Sequence, residues 1–125
     1  MRLHVFVAAL LLSVAASLNA NEPLSMAVSP FQSFAPANLT IRLHVAPDAA
    51  NRALEVVAES GEYYRSTNVQ LDGSEAARTI SLEFRDVPGG TYEVRGTLIS
   101  STGKARAAVR RQVIVIGHAL TGATP

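Results

Sequence analysis

With 125 residues the chain has material for one average domain and one core, not two. Eleven Lys plus Arg against ten Asp plus Glu leave a formal charge of +1, which provides no basic excess for a nucleic-acid partner. A composition 48% hydrophobic and 17% charged excludes a disordered polymer, and the lack of any cysteine excludes disulfides, thiolate metal sites, a cysteine nucleophile and an N-terminal lipidated cysteine.

Arg2 followed by the apolar run Val5 to Ala16 has the length of a signal-peptide core and is shorter than the ~20 residues a spanning helix needs. The sequence therefore predicts a signal peptide over 1–20, cut after Ala20 in Ser17-Leu18-Asn19-Ala20, and no integral membrane span in the mature chain. An uncleaved anchor is the competing reading. Ten of the eleven basic residues are arginine and only Lys104 is lysine, which together with abundant alanine fits a GC-rich bacterial genome. Export without cysteine points to a periplasmic or secreted bacterial protein. The Asn38-Leu39-Thr40 sequon is then a chance match.

Seven strands are predicted over 21–117, followed by a flexible tail over 118–125. Leu24 to Ser29 comes first and is stopped by Pro30. Asn38 to Val45 alternates Leu39, Ile41, Leu43 and Val45 against Thr40, Arg42 and His44. Arg52 to Glu59 and Glu62 to Leu71 follow, with weaker alternation. Ala77 to Arg85 sets Ile80, Leu82 and Phe84 against Thr79, Ser81, Glu83 and Arg85. In the next strand Tyr92, Val94, Gly96 and Leu98 share a face opposite Thr91, Glu93, Arg95 and Thr97. Ala105 to Ile116 is the last, and Arg111 breaks its alternation unless a bulge near Arg110 restores it. Helix is the rival reading for Ala50 to Ser60 and Ala105 to Arg111, but Val56-Val57 and Val113 to Ile116 favour strand. Pro47-Asp48, Ser60-Gly61, Asp72-Gly73, Pro88-Gly89-Gly90 and Thr102-Gly103 supply turns at regular spacing, and no βαβ spacing occurs. The expected fold is all-β, a single antiparallel two-sheet sandwich, with Leu43, Ile80, Leu82, Phe84, Tyr92, Val94 and Val113 central.

The stretch Asp86-Val87-Pro88-Gly89-Gly90-Thr91-Tyr92-Glu93-Val94 resembles the corner leading into the penultimate strand of immunoglobulin-like and fibronectin-type-III-like β-sandwich domains. Tyr92 matches the tyrosine of that corner, and Val94 stands where antibody domains have cysteine. The resemblance implies a seven-stranded immunoglobulin-like sandwich in which the Tyr92 hydroxyl bonds back to the corner backbone. The same Pro-Gly-x-Tyr pattern also occurs in transthyretin-like and carboxypeptidase-regulatory-like bacterial domains.

Residues able to carry chemistry are few. His44 and His118 are the only histidines past the leader and have no metal-binding spacing, no Gly-x-Ser-x-Gly elbow is present, and Gly89-Gly90 precedes no Lys-Ser/Thr pair or helix start. Glu55, Glu59 and Glu62 read as a solvated face. The sequence thus predicts no catalytic, metal or cofactor residue and no enzyme. Its candidate partner-binding residues are Tyr63, Tyr64 and Arg65, where one tyrosine must face outward, and Arg106 and Arg110 on the last strand, where the charges either meet an acidic partner or protect an exposed edge. The expected role is a non-catalytic binding or structural accessory module of the bacterial envelope whose partner is another envelope protein or a surface polymer. A pilus or surface-fibre subunit and an inhibitor or chaperone of an envelope protein are the alternatives.

Overall fold

The computed structural model describes residues 22–117, so the expected signal peptide over 1–20 and the tail over 118–125 with His118 lie outside the described residues. Alternation sets the layers. Ala37, Leu39, Ile41, Leu43 and Val45 of β3 (Ala37–Val45) are buried while Asn38, Arg42 and His44 are exposed, as a strand with one face on a core requires. The other strands are β1 (Leu24–Ser29), β2 (Gln32–Phe34), β4 (Asn51–Glu59), β5 (Tyr64–Gln70), β6 (Thr79–Val87), β7 (Gly90–Ser100) and β8 (Ala105–Ile116), with a short 3-10 turn at Gly73–Glu75. Both segments with a rival helical reading, Ala50 to Ser60 and Ala105 to Arg111, fall on strands β4 and β8.

The strands form two sheets, one in the order β1-β3-β6 and the other in the order β2-β8-β7-β4-β5. One core lies between them, drawing Leu39, Ile41, Leu43 and Phe84 from the first and Leu54, Val56, Val94, Leu98 and Val113 from the second. Tyr92 is fully buried in it, and its hydroxyl donates to the Pro88 carbonyl at 2.7 Å, the bond expected of the corner.

Four features differ from the sequence reading. There are eight strands, because Gln32–Phe34 between Pro30 and Pro36 pairs with Ile114–Ile116, and this pairing is parallel. Ile80 and Leu82 are only partly buried, since β6 is the outer strand of its sheet among the described residues. The register irregularity of β8 falls between Ala105 and Ala107, not near Arg110. Arg111 therefore keeps the inward phase opposite buried Val94, yet is exposed, because among the described residues no strand pairs with the outer edge of β8 at that level.

The sheets approach closely at Gly96. A Cβ there would lie 3.0 Å from Leu43 Cδ2 and 3.4 Å from Met26 Sδ, so even a small side chain presses on the facing layer. Gly96→Val is expected to lower stability by about 1–3 kcal/mol in urea unfolding, with the far-ultraviolet spectrum of the folded state unchanged.

Candidate functional site

On the outer face of the five-stranded sheet, register fixes which side chains are neighbours. Tyr64 pairs with Glu59 across β5 and β4, Glu59 with Glu93 across β4 and β7, and Glu93 with Gln112 across β7 and β8. One row along, Val57 pairs with Arg95 and Arg95 with Arg110. Opposite charges meet along β7 and diagonally across it. Arg95 Nη1 donates to Glu93 Oε1 at 2.7 Å and to Glu59 Oε1 at 3.2 Å, and these carboxylates, Glu93 foremost, raise the Arg95 guanidinium above its ordinary pKa.

Arg110 is the loosely held cation of the group. Its Nη1 is 3.9 Å from Glu93 Oε2 and its side chain is 71% exposed. Glu59, Thr91, Glu93, Arg110, Arg111 and Gln112 border a shallow open concavity of about 380 Å³. Arg110 supplies a guanidinium fork for a carboxylate on this face. Farther along, Phe34 and Ile114 are exposed at 69% and 40%.

Among the described residues, the edge of this sheet is open along most of β8. Ile114 N–H donates to the Phe31 carbonyl and Ala35 N–H to the Ile116 carbonyl, so even-numbered residues there direct their backbone groups toward β2. By the two-residue period of a strand, Ala108, Arg110 and Gln112 direct theirs to the same edge, beyond the three residues that β2 covers. In keeping with this, the Arg110 carbonyl accepts a hydrogen bond from Arg111 Nη1 at 2.6 Å.

The five expected partner-binding residues are placed apart. Tyr63 packs edge-on against Tyr92 with ring centroids 5.6 Å apart, whereas Tyr64 is 61% exposed on the outer face. Arg65 ties the sheets together: its guanidinium lies 5.3 Å from the Phe84 ring centroid and Nη1 donates to the Arg85 carbonyl at 2.8 Å. Arg106 donates to Oδ1 of buried Asn51 and to Asp48 Oδ2 at 3.1 Å, while Asn51 Nδ2 donates to the Ala46 carbonyl. Arg106→Ala would leave Asn51 Oδ1 without its donor and is expected to lower stability by about 1–3 kcal/mol, whereas Arg110→Ala should change the melting temperature little. Sequence reasoning took Glu59 for part of a solvated face and did not single out Glu93 or Arg95, since the pairing of these residues appears only once β4 and β7 are in register. His44 is exposed, with Nδ1 3.0 Å from Thr79 Oγ1.

No family model and no curated protein matches the chain. Solved structures do. The superoxide reductase (neelaredoxin) from Ignicoccus hospitalis aligns with a TM-score of 0.59 at 12% identity, over 75% of this chain and 80% of that one. A single-residue variant of it aligns at 0.60 and 14% identity, over 81% and 86%. A family 76 glycoside hydrolase from a bovine Bacteroides thetaiotaomicron strain aligns at 0.54 and 16% identity, over 77% of this chain and 21% of that one.

At these identities the likeness is one of fold, and the shared fold is all-β. It corrects the functional expectation. The solved structures with this fold include enzymes, the superoxide reductases, so neither a non-catalytic accessory module nor the absence of enzymatic activity follows from the architecture. The pilus-subunit and inhibitor or chaperone alternatives shared that premise and go with it. A reductase of superoxide must hold an electron carrier. Among the described residues no group of three or more His, Cys, Asp or Glu could hold a metal ion, and the chain has no cysteine. Those residues do not fit a metal-borne carrier.

Proposed function

We propose that the chain is a bacterial protein exported to the periplasm or beyond, with residues 1–20 removed, that recognises a carboxylate-rich envelope protein or surface polymer on the outer face of its five-stranded sheet. The carrying observation is Arg110, whose guanidinium stands in solvent at the concavity with, among the described residues, a single carboxylate within 4.0 Å, that of Glu93 at 3.9 Å. Tyr64 adds an exposed ring to the same face, three strands away. Within two-sheet β folds, the sheet order, the switch of the first strand segment from one sheet to the other, and the Tyr92–Pro88 bond support the immunoglobulin-like branch.

Titration of the purified protein with poly-L-glutamate tests the reading. Binding is expected at low ionic strength, weakening steeply toward about 0.5 M salt as charge screening shortens its range. It should weaken in Arg110→Ser and not in Arg42→Ser, a cation exposed on the opposite sheet. Equal binding by both variants, or none by the unmodified protein, would refute it.

A further inference from the structure

The unpaired length of β8 is a second feature of the same region, and it specifies how a partner could be held. Beyond the stretch covered by β2, the N–H and C=O groups of Ala108, Arg110 and Gln112 form the sequence of donors and acceptors that an added strand completes. The flanking charge has one sign. Lys104, Arg106, Arg110 and Arg111 lie in or beside β8, and no acidic residue occurs between Lys104 and Ile116.

Two of these arginines stand on opposite sides of the strand. Arg110 pairs with Arg95 in the outward phase, and Arg111 pairs with Val94 in the inward phase, yet both are exposed. An incoming strand with two adjacent acidic residues would also direct them to opposite sides, one toward each guanidinium. The β8 of a second copy is the wrong occupant, because pairing β8 with β8 would set Arg106, Arg110 and Arg111 against the same cations. The charge pattern that keeps copies apart thus selects an acidic partner.

We propose that the free edge of β8 takes up an extended acidic segment of another protein as an additional strand, its backbone on Ala108, Arg110 and Gln112 and neighbouring carboxylates on Arg110 and Arg111. This rests on the carboxylate-recognition reading above and adds the backbone as a determinant. Arg111 releases the Arg110 carbonyl when it turns to the incoming acid, which frees that acceptor for the strand.

The experiment uses three synthetic octapeptides of identical charge, Thr-Val-Thr-Glu-Glu-Val-Thr-Val and the same sequence N-methylated at alternate residues in each of the two phases. Binding to the purified protein is followed by fluorescence anisotropy and by amide resonances. The unmethylated peptide is expected to bind, to shift and protect the amides of Ala108, Arg110 and Gln112, and to bind about tenfold or more weakly to Arg110→Glu/Arg111→Glu. One methylation phase should abolish binding and the other preserve most of it. Equal binding by all three peptides, with poly-L-glutamate still bound, would overturn strand addition and leave the charge reading intact. Failure of both the peptide and poly-L-glutamate to bind would overturn both.

Discussion

Val94→Asp is expected to abolish cooperative folding. Val94 is fully buried in β7, between β4 and β8, in the core shared by both sheets. The substitution forfeits about 1.5–3 kcal/mol of burial and places a carboxylate in the core, a further cost of several kcal/mol that Arg111 opposite it on β8, exposed to solvent, offsets only in part. Together these approach the whole stability of a typical domain, about 5–15 kcal/mol. The thermal transition should disappear, while Val94→Ala should keep a cooperative transition at a lower temperature. Leu82→Asp should be milder, because Leu82 is only partly buried on the outer strand β6, where a carboxylate can turn to water. A Val94→Asp protein that melts cooperatively near the wild-type temperature would contradict this placement of the core.

Tyr92 has the second largest expected effect. Its ring is fully buried against Tyr63 and its hydroxyl reaches the Pro88 carbonyl at 2.7 Å, so one residue joins the core to the corner before β7. Tyr92→Ala removes both and is expected to cost about 3–5 kcal/mol, whereas Tyr92→Phe removes only the hydrogen bond to the carbonyl of exposed Pro88, at about 0.5–1.5 kcal/mol. The pH dependence separates the hydroxyl from the ring. Burial raises the Tyr92 pKa above its ordinary 10.0, so the folded state holds the proton more tightly than the unfolded chain. The associated stability is fully present below pH 10.0 and is lost as pH rises through the unfolded and then the folded value. Urea midpoints should thus fall between neutral pH and about pH 11 by more in the wild type than in Tyr92→Phe. Equal slopes would show that Tyr92 does not carry this linkage.

Period-two hydrophobicity made most of the strands legible, because each has one face on a core. Leu39, Ile41, Leu43 and Val45 announce β3 directly, and the corner at Pro88 announces the Tyr92 bond. Short or one-sided elements carry less pattern. Gln32–Phe34 has three residues and is held by a parallel neighbour more than eighty positions away, so nothing local marks it as a strand. Ile80 and Leu82 alternate as regularly as core residues, but alternation does not tell an outer strand from a central one.

The candidate site was legible only in part, for a related reason. Tyr64 and Arg110 could be named as surface residues, but pairing decides which arginines are free. Arg106 looks equivalent to Arg110 along the strand, yet it is drawn to Asn51 and Asp48, 55 and 58 positions away, while Arg65 is drawn to Arg85 and Phe84 of the other sheet. Glu59, Glu93 and Arg95 became a group through register alone.

Native-state hydrogen exchange along β8, residue by residue, tests the open edge on which recognition is built. The amides of Val109, Arg111 and Val113 point toward β7 and should exchange slowly, whereas those of Ala108, Arg110 and Gln112 should exchange fast and become protected when acidic peptide is added. Uniform slow exchange from Ala107 to Val113 in the free protein would mean that another segment already occupies the edge, and would contradict it.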